Sequence, residues 1–348
     1  MPAARPTPLA LALVLGLAAA ARAAEPEAIA TFGPSYAQDE LRIRAATDVA
    51  SFAPVLEAFV ETAPGLRVVL EVWNTNEIYA DAAASCREGR PSGDLLMSSA
   101  VDQLVRLVND GCAQPHWSLA TAALPPEANW RDELFGVTRE PAVIVYNRDL
   151  VPPDEAPRSR FDLVDLLRRA GDRYEGRVAT YDIENSGVGY LFAFLDSQQA
   201  TTFGSLIEAF ARTGAVATCC SAEIIAGVAE GRYLIAYNVL GSYARDAAED
   251  DPRLAIVAPE DYTLVLARGA MIPKGAANPT AAGLLVDFML SDAGRAALAG
   301  QHLLGEEADT GGARYRPIAL SATLLLGLDQ QKRAGFLDRW RATFAPMP

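Results

Sequence analysis

The side chains best placed to do chemistry in this sequence are hydroxyls and amides that follow short apolar runs. Thr47, Asp48 and Ser51 come after Leu41–Ala46, Thr75 and Asn76 after Leu66–Trp73, and Ser98 and Ser99 after Asp94–Met97. In the second half, Ser186, Gly187 and Gly189 close the turn that starts at Tyr181, and Asn238, Ser242 and Tyr243 follow Tyr233. Groups of this kind hold oxygen atoms through N–H and O–H donors; they do not break bonds. Their plain structural role is helix capping, and at the carboxyl ends of strands the two roles coexist. A charged guest also needs a counter-charge. Arg139 is the first candidate and Arg268 the second, against the alternative of a surface or structural ion pair for each.

Little here supports catalysis. The sequence has no GxSxG and no HExxH, and its two histidines, His116 and His302, read as structural. Acidic pairs such as Asp250-Asp251 read as solvated loop. No catalytic residue, no cofactor and no metal-ligand set is therefore expected. Gly187-x-Gly189 starts a dinucleotide fingerprint, but Phe192 stands where its third glycine is required. Of the four cysteines, Cys86 and Cys112 could pair in an oxidising compartment, which spacing alone does not decide. The adjacent Cys219-Cys220 leaves three readings. Two small buried side chains is the first choice, ahead of a vicinal disulfide and a soft-metal or arsenite site.

Positioning these groups falls to a regular series of elements. Strands at Leu41–Ala46, Leu66–Trp73 and Asp94–Met97 each lead into a helical apolar stripe, predicting a parallel sheet with right-handed crossovers. A second series begins near Arg158, with strands at Tyr174–Thr180 and Tyr233–Asn238 and helices from Phe161, Tyr190 and Ser221. Between the two lies Val137–Leu150, whose apolar centre Ala142–Tyr146 fits a strand covered on both faces. We read it as a crossing between two lobes, with a return crossing in Tyr262–Arg268 and the guest beside both. The end of the chain, including Arg314–Pro317 and the amphipathic Phe336–Phe344, is expected to wrap the first lobe.

The N-terminus sets the compartment. Leu9–Ala20 is uninterruptedly apolar and Ala21-Arg22-Ala23 supplies a cleavage pattern, so residues 1–23 read as a signal peptide. The run is too short to span a bilayer. Its removal takes two arginines and no acids, moving the formal charge from −14 to −16. Such a surface argues against nucleic acid and does not favour anionic membranes, while a cleft can still be locally positive.

Several stretches resemble the solute-binding proteins of bacterial ABC importers, in the ferric-ion-like or type II branch. They include Ala46-Thr47-Asp48 before a helix, Asp94–Ser99, Val143–Asn147, Ser159–Leu163, Gly231 through Tyr243, Ile272–Ala276 and Asp287–Gly294. The ordered set is similar to the subset related to hexose-phosphate and phosphoglycerate binding. The resemblance implies an α/β, two-lobed periplasmic-binding-protein (type II) fold. Lobe 1 would comprise 41–140 plus 270–348, lobe 2 would comprise 148–263, and hinge strands would lie at 141–147 and 264–269. It also implies a monomer in the periplasm that delivers its ligand to an inner-membrane ABC permease, or presents it to the periplasmic domain of a sensor kinase. Ferric-binding members place adjacent tyrosines where Gly241-Ser242 stands here, and a glycine N–H with a serine hydroxyl suits an anion's oxygens instead. The expected guest is thus a small oxygen-rich anion, a phosphorylated sugar, glycerate or carboxylate, with sensing and ferric binding as alternatives.

Overall fold

The computed structural model describes residues 25–305 and 314–344; the signal-peptide reading of 1–23 lies outside them. Strand Asp39–Ala45 shows how the first lobe is built. Leu41, Ile43 and Ala45 alternate into the core, while Arg42 and Arg44 turn to the other face and share Glu71 of the neighbouring strand, at 2.5 and 3.1 Å. Parallel partners Leu66–Val72 and Leu95–Ser98 flank it, as the strand-helix alternation predicts. The sequence reading missed Ala28–Phe32, which runs antiparallel to Leu66–Val72 and closes that edge. Gly269–Met271, Leu134–Gly136 and Asn129–Trp130 complete a seven-stranded sheet. Helices Val49–Thr62 and Pro279–Leu290 bury Phe52, Leu56, Phe59, Leu285 and Met289 against it.

Strand Glu140–Asn147 is the axis of the second sheet. Its first residues pair with Thr263–Leu266, and further along it pairs with Ile235–Leu240 and Leu254–Val257. Val178–Tyr181 and Val216–Thr218 then add parallel strands. Because the strand is clothed on both faces, Ala142–Val145 are all buried, which is why the run reads as continuously apolar. At this strand and at the stretch joining Thr263–Leu266 to Gly269–Met271, the chain passes between the two sheets.

Two expectations need correction. Tyr174 does not open a strand. It ends the short helix Gly171–Tyr174, its phenol donating to Glu155 at 2.7 Å, and the strand starts only at Val178. The last helix, Gln330–Phe344, does not wrap the first lobe. Phe336 and Trp340 pack with Ile183, Tyr190 and Ala193 beside helix Ala200–Arg212, in the second lobe. The 3-10 turn before it, Ala322–Leu328, lies on helix Val101–Asn109 of the first, so this terminal segment touches both. Aromatic contacts hold it on that side: Phe336 stacks with Phe203 and meets Tyr190 and Phe194 edge to face, at 5.8–6.1 Å between ring centres.

Candidate functional site

The strand exits of both lobes open onto one cleft, a cavity of about 140 Å³ between them. Its first wall comprises Glu27, Ala46–Asp48, Val72–Thr75 and Ser99, and its second Tyr181, Asn185, Ser186, Val188, Cys219–Ala222, Leu240 and Tyr243. Arg268 forms the floor. Thr47, Asp48, Thr75, Ser99, Ser186 and Tyr243 are thus brought together. Ser98 is buried beneath Ser99, its hydroxyl accepting from Ala100 N–H at 3.1 Å.

Other candidates fall elsewhere, each for a local reason. Arg139 is exposed, donates to the Gly305 carbonyl at 3.2 Å and does not line the cleft. Ser51, in the first turn of its helix, is also off the wall. Asn238 has φ +62° at an irregular step in its strand pairing, and its amide donates to Asp196 at 2.7 Å inside the second lobe. Ser242 donates its hydroxyl to Glu140 and is buried there. Gly189 serves packing: a Cβ would lie 2.3 Å from that of Tyr181.

Three expected ligand residues, Thr75, Asn76 and Gly187, help join the lobes to each other, together with Asn74. Gly187 N–H donates to Thr75 Oγ1 at 2.8 Å, Asn76 Nδ2 to the Glu184 carbonyl at 3.0 Å, and Asn74 Nδ2 to the Asn185 carbonyl at 3.1 Å. Gly187 permits this approach, because a Cβ there would lie 2.8 Å from Ala100 and 2.9 Å from the Thr75 hydroxyl. Asn76 is steadied from behind by Gln103 at 2.7 Å. The structure is therefore a closed form whose lobes touch through helix N-termini.

Arg268 is fully buried, yet its charge is held. Nε and Nη2 fork onto Glu140 at 2.7 and 3.0 Å, and Nη1 donates to the Ala46 carbonyl and to Thr47 Oγ1 at 2.7 and 2.9 Å. Burial alone would lower its pKa; the Glu140 carboxylate and the Tyr243 oxygen together outweigh that and leave it raised. Tyr243 stands beside it, 5.7 Å from guanidinium carbon to ring centre. Burial pushes the Tyr243 phenol up to about 12 although Arg268 opposes the shift. Tyr181 is raised too, mainly by burial, and its phenol is hydrogen-bonded to Ser221. Neither phenol is ready to ionise.

Helix starts differ in a telling way. Thr75–Glu88 and Gly187–Ser197, which join the lobes, are capped by the side chains of Asn74 and Ser186, at 2.8 and 3.1 Å. Val49–Thr62, Ser221–Ala229 and Gly241–Asp250 begin at Asp48, Cys220 and Leu240, all in the cleft wall, with no side-chain cap. The N-terminal ends of these helices therefore border a space that a guest's oxygens can fill. Glu27 and Asp48 add negative charge at the rim, and burial raises the pKa of Glu27 first, with Glu77 and Asp48 adding to it.

Sequence reasoning missed Glu27, Trp73, Cys219 and Cys220 as wall residues. The cysteine pair follows strand Val216–Thr218, so the strand-exit rule applied to Ser98 would have found it. Burial was the wrong expectation, because both are exposed and unpaired, whereas Cys86 and Cys112 form a disulfide with Cα atoms 5.5 Å apart. Both histidines hold carboxylates, His116 on Asp287 at 3.0 Å and His302 on Glu249 at 2.9 Å.

The family model for bacterial extracellular solute-binding proteins matches residues 46–296. The fold is similar to the substrate-binding protein of an ABC transporter from Agrobacterium tumefaciens, with 34% identity, TM-score 0.85, and coverage of 91% of this chain and 98% of that one. It is also similar to AfuA from Actinobacillus pleuropneumoniae with fructose-6-phosphate bound (16% identity, TM-score 0.68, 89% and 100% covered). Iron-bound HitA from Pseudomonas aeruginosa gives 18% identity, TM-score 0.66, and 86% and 98% coverage. No curated protein sequence matches the chain.

Proposed function

Because this chain belongs to the bacterial extracellular solute-binding proteins, periplasmic components of ABC transporters with the two-lobed type II fold, we propose that its cleft captures a small oxygen-rich anion. Membership implies a small-molecule ligand and an ABC permease as partner, and the members are binding proteins, not enzymes. One observation carries the choice of an anion: three helix N-termini without side-chain caps converge on the cleft above a buried arginine. Each offers free N–H groups and the positive end of a helix dipole. Glu140 already neutralises Arg268, and Glu27 and Asp48 sit at the rim, so a single oxyanion group fits better than two. A phosphorylated sugar, a glycerate or a carboxylate meets that description, and the fructose-6-phosphate bound to AfuA is a precedent.

Ferric ion fits less well. The position of an adjacent tyrosine pair holds Gly241-Ser242, and the two wall phenols, Tyr181 and Tyr243, are both pushed away from ionisation. The test is a thermal-shift screen of the chain from residue 24 onward against phosphosugars, phosphoglycerates, monocarboxylates, dicarboxylates and ferric salts. A ligand with a single oxyanion group is expected to raise the melting temperature most. A response to ferric ion alone would overturn the assignment.

A further inference from the structure

Two thiols in the cleft wall take no part in that reading. Cys219 and Cys220 are exposed and unpaired, although Cys86–Cys112 shows that this chain's cysteines can oxidise when geometry suits. They stand at the start of helix Ser221–Ala229, one turn before Glu223. The two sulfurs and a Glu223 carboxylate oxygen all lie within 4.8 Å of one another. Among the described residues this is the one grouping of cysteine, histidine and acidic side chains with such convergence. Glu223 is steadied by Thr218 Oγ1, which donates to it at 3.0 Å. Across the cleft stands Glu27 of the first lobe, near enough that its charge bears on the Cys219 thiol.

We propose that Cys219, Cys220 and Glu223 form a binding site for a thiophilic d10 cation in the wall of the interlobe cleft, with Glu27 closing on it from the opposite lobe. Two sulfurs and one oxygen supply three donors of the kind that zinc-class ions take in tetrahedral sites, and a facing carboxylate or water completes four. Side-chain rotation alone draws donors within 4.8 Å of one another onto a single ion with metal–sulfur bonds of about 2.3 Å. Binding displaces the thiol protons, which pass to solvent as the two metal–sulfur bonds form. The cation bridges both lobes, so it favours the closed form independently of any anion.

The experiment is a titration of the chain from residue 24 onward with cadmium ion under argon, after a thiol assay has counted two free thiols. One equivalent is expected to bind, with an ultraviolet thiolate-to-cadmium charge-transfer band and release of protons to a weak buffer. Cys219→Ser and Cys220→Ser should each reduce the band and weaken binding at least ten-fold, and Glu223→Gln and Glu27→Gln a few-fold. All four positions lie on the cleft wall or the surface, so the variants are expected to fold, and circular dichroism checks that they do. No band at equimolar cadmium with both thiols free would overturn the proposal, as would a band undiminished in both serine variants.

Discussion

Two arginines, Arg160 and Arg268, are among the largest fully buried side chains, and they make the same kinds of contact for different ends. Arg160 is sealed inside the second lobe. Its guanidinium donates to Tyr237 at 2.7 Å, to the Tyr262 carbonyl at 2.6 Å and to Asp196 at 3.1 Å, and its charge lies 3.7 Å over the Tyr262 ring. Asp196 also accepts from Tyr262 and Asn238 at 2.7 Å each. Arg160 and every one of these partners belong to the second lobe, so the network fixes that lobe's shape. Arg268 instead binds Glu140 of the crossing strand and the Ala46–Thr47 exit of the first lobe, with Ser242 of the second lobe on the same carboxylate. It sits where the halves meet and one edge of it forms the cleft floor. The lesson is that a buried ion pair can be internal stiffening or a joint, and only the address of its partners says which.

The comparison can be broken most forcefully by removing each carboxylate. Glu140→Gln should destabilise the empty protein by about 3–5 kcal/mol, the cost of leaving a buried charge unpaired, and Asp196→Asn by less, because Asp261 stays 3.5 Å from Arg160. Chemical denaturation with and without the anion found by screening would separate them. Bound anion should recover part of the loss in Glu140→Gln, where it lies beside the freed Arg268, and add no more than its wild-type increment in Asp196→Asn. Equal recovery in both would show that Arg268 is not part of the site.

A buried acid without a cation to match gives the next largest effect. Asp102, on helix Val101–Asn109, is buried with Oδ1 unpartnered, and desolvation raises its pKa from 3.8 to about 7 despite lowering contributions from the backbone N–H groups and Arg333. The folded protein therefore holds this proton where the unfolded chain releases it. Stability from this group is fully present below pH 4 and is lost as pH rises towards 7, at roughly 1.4 kcal/mol per unit. Asp102→Asn should flatten that part of the stability-against-pH curve; an unchanged slope would refute it. Smallest is the contact between lobes: Thr75→Ala removes the acceptor of Gly187 N–H and should weaken ligand binding about five-fold, or about 1 kcal/mol, with the melting temperature of the empty protein little changed. Calorimetry reads it directly.

How much of this was legible in the residues varies with range. Strand-helix alternation from Leu41 to Val108 was readable because apolar period reports burial within one element. That the polar exits share a cleft followed from topology alone. Thr75 and Asn76 were visible as donors and acceptors, but their partners lie 112 and 108 residues away, so nothing local says that they serve closure. Arg139 and Arg268 look alike in sequence, and only their partners in the fold, the Gly305 carbonyl for the first and the Glu140 carboxylate for the second, tell them apart. Asn238 seemed a ligand amide because it ends an apolar run; its left-handed backbone and Asp196 partner exist only in the folded lobe. Cys219 and Cys220 were misjudged by residue-type averages that ignore position.

The terminal helix bears on how the protein shuts. Arg341 grips the Glu184 carboxylate with two nitrogens, at 2.9 and 2.5 Å, and the carbonyl of that same residue receives Asn76 from the far side. The docking bracket is thus braced from the rear before the halves meet. Its ordering entropy was surrendered when the chain folded, so the jaws can engage a preset catch and leave more of the ligand's own interaction energy to appear as affinity.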